Sequence, residues 1–231
     1  GGTVVHVNAG VAAFVAALVL KPRKDYGRQA LLPHNIPFVL LGAGLLWFGW
    51  FGFNGGSALA ANESAVLAFV NTLFAPAGTI LIWIILDFYK FGRATGVGLA
   101  TAIVVGLVAI TPAAGFISPI NAILLGMIAA IPSYFLILKR PKTALDDSLD
   151  VVAAHGIGGL SGALLTGVFA EAFWGGEVGL LFGNSDQFIA QVIGVVVTII
   201  YSAIVTYALL KLINLVFPLR MSDKEQSIGM D

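Results

Sequence analysis

The sequence predicts an all-α protein, a polytopic bundle of membrane-spanning helices, and three observations carry that prediction. Of its 231 residues 58% are hydrophobic and only 10% charged, against roughly 25% charged in a soluble globular domain. Mean hydropathy is +0.96, and the apolar residues gather into uncharged runs close to the ~20 residues that cross a ~30 Å hydrocarbon core. The 12 basic residues lie in or beside alternate connections between those runs, the pattern that sets orientation in a bilayer. A helix satisfies its own backbone hydrogen bonds, as a solvent without water demands.

Seven spans follow in order: Gly1 to Leu20, Ile36 to Phe53, Ala65 to Leu86, Ala94 to Ile110, Ile120 to Leu138, Val151 to Ala170, and Phe188 to Phe217 with Lys211 near its inner end. Short connections with turn residues separate them, such as Thr111-Pro112-Ala113-Ala114-Gly115 and Trp174-Gly175-Gly176. No stretch reads as a linker between domains, so residues 1–220 are expected to form one membrane domain and 221–231 the start of a tail. The chain opens Gly1-Gly2-Thr3, without Met and without the charged-then-apolar pattern of a signal peptide. Its natural N-terminus is expected to lie upstream.

Charge placement orients the bundle. Lys21, Arg23, Lys24 and Arg28 form one basic group, Lys90 and Arg93 a second, Lys139, Arg140 and Lys142 a third, and Lys211, Arg220 and Lys224 the last. The intervening connections carry acids only: Glu63, then Glu171, Glu177 and Asp186. Basic connections face the cytoplasm, which puts the C-terminus inside, Gly1 toward the outside, and the protein in the cell membrane as a multi-pass chain.

Composition also excludes classes of function. Net charge is zero and no basic stretch resembles a nucleic-acid surface. Without cysteine there is neither disulfide nor thiolate metal site, and three scattered histidines make no ligand cluster. No cofactor is expected. No Ser or Cys nucleophile with a His partner stands out, so an intramembrane enzyme is disfavoured.

Two histidines lie within or at the start of apolar spans, where polar groups are costly and tend to be functional or mutually paired. His6 stands in Val4-Val5-His6-Val7-Asn8-Ala9-Gly10 and His155 in Val151-Val152-Ala153-Ala154-His155-Gly156, on spans of opposite direction. Similar segments of opposite orientation mark an inverted repeat, whose substrate site tends to lie at the repeat interface. The plainer reading is that each imidazole bonds a nearby carbonyl. Depth opposes pairing, because His6 precedes Lys21 by 15 residues and His155 follows Asp150 by five. At about 1.5 Å per residue, straight helices would leave them roughly 15 Å apart in height. For the rings to meet, Asp150 must dip into the bundle or a helix must bend.

At the outer end of the second span, Trp50, Phe53 and Ser57 recur at spacings of three and four and share a face if the helix continues that far. A ring attracts a cation and a hydroxyl accepts its hydrogen bond; taken singly, Trp and Phe at this depth are more often residues of an interfacial belt. Asp146, Asp147 and Asp150 precede the His155 span, and the ordinary expectation is one helix cap and two solvated acids. Most of the 28 glycines read as close helix packing.

Taken in order, Gly1-Gly2-Thr3-Val4-Val5-His6, Pro33-His34-Asn35, Gly49-Trp50-Phe51-Gly52-Phe53-Asn54, Ala61-Asn62-Glu63, Ala68-Phe69-Val70-Asn71-Thr72, Thr111-Pro112-Ala113 and Asp147 through His155-Gly156 closely resemble the ammonium transporter family, the Amt and Mep proteins. The resemblance covers essentially the whole chain. It implies an eleven-helix fold with inverted pseudo-symmetry, of which this chain would hold helices five to eleven, and a homotrimer with one pore per subunit. It implies that His6 and His155 are the pore pair, Phe53 a ring at the outer mouth, Ser57 with Phe53 an outer site recruiting ammonium, Trp50 and Thr111 neighbours of the conduction path, and Asp147 and Asp150 structural acids. Ammonium or ammonia, the lipid bilayer and a cytoplasmic P-II-class regulatory protein are the partners it implies. An ammonium sensor acting on a cytoplasmic nitrogen-regulatory partner is the alternative. The family's first four helices and most of its tail have no counterpart in this sequence.

Overall fold

Apolar composition says that helices form; polar residues say where they start. The computed structural model describes residues 1–24, 26–28 and 33–228, so residues 229–231 of the expected tail lie outside the described residues. Among the described residues the structure is wholly helical, with no strand. A π-helical turn, Thr3–Val7, leads into α1 (Asn8–Leu20); then come α2 (Ile36–Gly56), α3 (Glu63–Phe91), α4 (Gly96–Ile110) and α5 (Pro119–Lys139). A second π-helical turn, Val152–Ile157, leads into α6 (Gly158–Phe169), followed by the short α7 (Ala172–Gly175), the long α8 (Ser185–Asn214) and α9 (Asp223–Ile228).

Side-chain caps set the starts. Asn35 accepts from the Phe38 N–H at 3.1 Å, Asn62 from Ala65 at 3.0 Å, Thr95 from Gly98 at 3.0 Å, and Ser118 from Asn121 at 3.3 Å. Each satisfies a donor that the first helical turn leaves free. The left-handed Gly92 (φ 73°) stops α3. Helix α3 runs five residues beyond Leu86 because charged residues such as Asp87 and Lys90 end an apolar run without ending a helix.

Among the described residues, six helical segments are long and apolar enough to cross a membrane, and α4 is a shorter apolar helix beside them. The seven expected spans are therefore all present as helices. At 15 residues α4 is about 22 Å long. It gives way to the Thr111–Pro112 turn inside the bundle, where Ala113 and Ile117 are fully buried.

The core lies along α3, α4, α5 and α6, whose buried residues run from Ala75 and Thr79 through Val105–Ile110 to Gly162 and Thr166. α1, α2 and α8 pack around it and leave broad apolar faces open.

Basic connections meet at one end. Arg23 is ion-paired with Asp146 at 2.7 Å, Tyr26 donates to the carbonyls of Arg140 and Leu145, and Arg220 donates to those of Leu20, Lys21 and Pro22. At the opposite end the Glu171 N–H donates to Phe116 O, and the Glu171 carboxylate accepts from Asn121 Nδ2 at 2.8 Å. The three basic groups that meet thus lie at one end and the acidic connections at the other, as the charge alternation requires.

Candidate functional site

Both π-helical turns contain a histidine, and both open directly into an α-helix. A π turn widens the helix by one residue and swings its side chains out of the regular register, a device common at functional sites. The spans carrying them cross where both are glycine: a Cβ on Gly10 would overlap the Cα of Gly156, and one on Gly159 would lie 2.8 Å from the His6 Cβ. Lacking side chains there, the backbones approach until the rings meet. Nδ1 of His6 and Nδ1 of His155 are 3.4 Å apart, with ring centroids 5.5 Å apart and planes inclined at 38°. In this arrangement one Nδ1 donates and the other accepts. His6 is 3% exposed, and its Nε2 has no hydrogen-bond partner among the described residues.

The expected height difference of roughly 15 Å is absent, and the chain before His155 explains why. Leu145 to Asp147 are non-helical, Ser148 and Leu149 form a turn, and Asp150 adopts a left-handed conformation (φ 55°). This segment carries Asp147 into the protein, to 6% exposure, and starts the second π turn deep in the bundle. Of the two routes by which the rings could meet, the dipping acidic segment is the one observed, joined by the widened turns.

Aromatic rings close one side of the pair. Trp50 stacks on His6 with centroids 5.4 Å apart and planes at 17°, and Phe53 stands edge-on to both, 6.2 Å from His6 and 5.6 Å from Trp50. Trp50 Nε1 donates to Thr111 Oγ1 at 2.9 Å, and the Thr111 hydroxyl donates to Leu107 O at 2.7 Å. The short α4 is what brings Thr111 to this depth. Phe53 remains 45% exposed. Because α2 continues to Gly56, Ser57 caps it and donates its hydroxyl to Phe53 O at 2.7 Å. Its oxygen keeps lone-pair capacity, and among the described residues its side-chain hydrogen bond is to the Phe53 backbone and not to a ring. His6, His155, Trp50, Phe53 and Thr111 thus form one connected group, and Ser57 stands above it.

The family model for the Ammonium Transporter Family matches residues 1–231. The chain belongs to the ammonium transporter family. It is 52% identical to an ammonium transporter of Aquifex aeolicus over 98% of this chain and 53% of that protein, and 42% identical to ammonium transporter Amt1 of Archaeoglobus fulgidus over 100% and 59%. Among solved structures it resembles Mep2 of Saccharomyces cerevisiae, at TM-score 0.90 and 33% identity over 100% of this chain and 54% of that one. A structure described as a sensor Amt protein matches at TM-score 0.90 and 32% identity, over 100% and 58%. The chain spans about half the length of the ammonium transporter relatives it matches.

Polar and ionic contacts hold the opposite side of the pair in this member of the family. Asp147 caps the second π turn, accepting from the Val152 N–H at 2.7 Å, as the sequence expects of one acid. The other two are not free in solvent. Asp150 accepts from Arg140 Nε at 2.7 Å, and Asp146 takes Nε, the guanidinium nitrogen and the backbone N–H of Arg23 at 2.7–2.8 Å. The hydrogen bonds from Arg23 hold the Asp146 carboxyl below the usual carboxylate range, and the same contact raises the guanidinium. These pairs were missed in the sequence, although basic residues in one connection and acids in another on the same side are the signal that reveals them.

Proposed function

We propose that this chain supplies the histidine-bearing half of a pore that moves ammonium across the cell membrane. The supporting observation is the imidazole pair: two Nδ1 atoms at 3.4 Å, one buried Nε2 without a hydrogen-bond partner among the described residues, and an aromatic roof. Ammonium and potassium are close in size, so size discriminates poorly between them; ammonium differs in donating hydrogen bonds and in being able to lose a proton. Ammonium is held near Phe53 and Ser57 by ring and hydroxyl. It passes the Phe53 ring and gives up its proton in the dehydrated pore to the acceptor nitrogen of a neutral imidazole, and ammonia passes along His6 and His155. Carrying a bare cation through an apolar lumen costs several kcal/mol even on lenient scales, which favours transit of the neutral species. The proton follows or stays behind according to whether the paired rings relay it.

The working assembly in this reading is a homotrimer in the plasma membrane, each subunit completed by the further helices found in its longer relatives, with the C-terminal tail in the cytoplasm open to a P-II-class regulator. Neither a cofactor nor covalent catalysis takes part. Signalling is the second reading, favoured by the likeness to a sensor Amt protein and by the contact of Lys24 with Gln226 and Ser227, which ties the tail to the connection after α1. Flux into liposomes holding the full-length protein tests the transport reading. Ammonium and methylammonium should move at least tenfold faster than potassium, and comparable potassium flux would refute the proton-loss filter.

A further inference from the structure

Near the inner end of α3 lies a buried carboxyl group outside the site described above. Asp87 is 2% exposed. It accepts from the Thr95 N–H at 3.0 Å, the Thr95 hydroxyl at 2.8 Å and the Tyr134 hydroxyl at 3.1 Å. Among the described residues the ion pairs are Arg23–Asp146 and Arg140–Asp150, and neither involves Asp87. Thr95 caps α4 and Tyr134 lies on α5, so one side chain joins three helices. The joint has no spare volume: a Cβ on Gly98 would lie 2.6 Å from Asp87 Oδ2 and 3.0 Å from Trp83 Nε1.

An acid in this position is a costly way to join helices. Burying a polar group away from water is unfavourable unless every lone pair is used, and a packed apolar contact would hold three helices as well. What three directional bonds supply beyond adhesion is orientation. Here they fix the Tyr134 ring, which stands edge-on to Trp83 with centroids 5.1 Å apart and planes at 81°. Both aromatics belong to one packed cluster with Ala102, Val105, Ala130 and Ala154. Ala154 immediately precedes His155, and the π turn holding both packs on α4 and α5. A π turn is a poor autonomous structure that persists where its surroundings hold it. The wall supporting this one is the wall that Asp87 orients.

We propose that Asp87 is a positioning residue for His155, acting through Tyr134, Trp83 and Ala154 to hold the second π turn in the geometry that brings the two Nδ1 atoms together. The inference rests on the conduction reading for its consequence in transport, but its geometric content is separately measurable.

The test uses the full-length protein with ¹⁵N-labelled histidine in lipid, comparing wild type, Asp87→Asn and Tyr134→Phe, with signals assigned by His6→Gln and His155→Gln. In wild type one Nδ1 of the pair should appear protonated and the other not. In Asp87→Asn, and to a lesser degree in Tyr134→Phe, which keeps the ring and removes only the hydroxyl, that pair of signals should shift or broaden while thermal unfolding stays cooperative. Ammonium flux should fall at least fivefold in Asp87→Asn, and adding His155→Ala should lower it no further than His155→Ala alone. Unchanged imidazole signals in both variants, or a flux loss that multiplies with that of His155→Ala, would reduce Asp87 to a helix tether and overturn the proposal. If wild type carries no ammonium, the conduction reading fails while the spectra still decide the positioning claim; should Asp87→Asn not fold, Tyr134→Phe decides it.

Discussion

The two histidine-bearing segments share a construction and differ in what holds them. Each is a π-helical turn opening into a helix, and they meet at a glycine crossing. The His6 turn is held by packing: Trp50 lies flat on the ring, Phe53 stands at its edge, and Gly2 fits against the Pro112 turn. The His155 turn adds polar and ionic contacts to its packing on α4 and α5. Asp147 caps it, Asp150 binds Arg140, and Asp146 binds Arg23 just below. Geometric symmetry therefore coexists with chemical asymmetry. An aromatic, cation-attracting surface borders one imidazole, and a polar frame that fixes position borders the other. In the proposed transport reading, ammonium entering from the aromatic side meets recognition first and alignment second.

The largest blow to this comparison is a change at the shared crossing. Gly10→Val places a branched side chain where the Gly156 backbone lies. Overpacking of that kind costs up to about 3 kcal/mol. The full-length variant should lose folded yield sharply in detergent, and a normally melting variant would show that the crossing is loose.

On the aromatic side, Phe53→Ala should alter entry more than folding, because the ring is 45% exposed. Ammonium flux should change several-fold while Tm moves by no more than a few degrees. On the polar side the reverse holds. Asp147→Ala removes a buried cap and should cost about 1–2 kcal/mol, seen as a fall of several degrees in Tm. If Phe53→Ala were the unstable variant and Asp147→Ala the silent one, the assignment of the two sides would be reversed.

The smallest effect belongs to the Arg23–Asp146 pair. Arg23 depresses the folded-state pKa of Asp146 below its ordinary 3.8. The stability it contributes is therefore complete above that ordinary value and is lost as pH falls through the folded one. With Arg23 48% exposed, screening limits the contribution to about 1 kcal/mol or less. Between pH 6 and pH 3 wild type should lose slightly more thermal stability than Asp146→Asn; identical pH profiles would show the pair to be idle.

Much of this was legible in the sequence because the bilayer makes composition speak. Seven apolar runs became seven helices, and the alternating charges predicted which connections meet. The two histidines stood out by their place in apolar spans, and Trp50, Phe53 and Ser57 by their spacing, whereas the pairing of the histidines was implied by the family resemblance and opposed by their apparent depth. The means by which the histidines meet was hidden. A π turn is set by the crossing of two spans far apart in sequence, so nothing local to Val4-Val5-His6 announces it. The depth of His155 depends on Asp146 to Asp150 leaving the helix, and a count at helical rise places the ring too low. Asp87 escaped notice because an acid just past an apolar run looks like a boundary, whereas α3 continues through it and buries it.

Whether the two imidazoles act as one unit is the central claim, and a double-mutant cycle tests it most directly. Ammonium-driven current is measured in liposomes with the full-length protein as wild type, His6→Ala, His155→Ala and the double variant. Each single change should lower the current at least tenfold or relax its selectivity against potassium. The double change should add little to either, because removing one ring already dismantles the shared hydrogen bond. Losses that multiply would mean two independent histidines and would contradict the account.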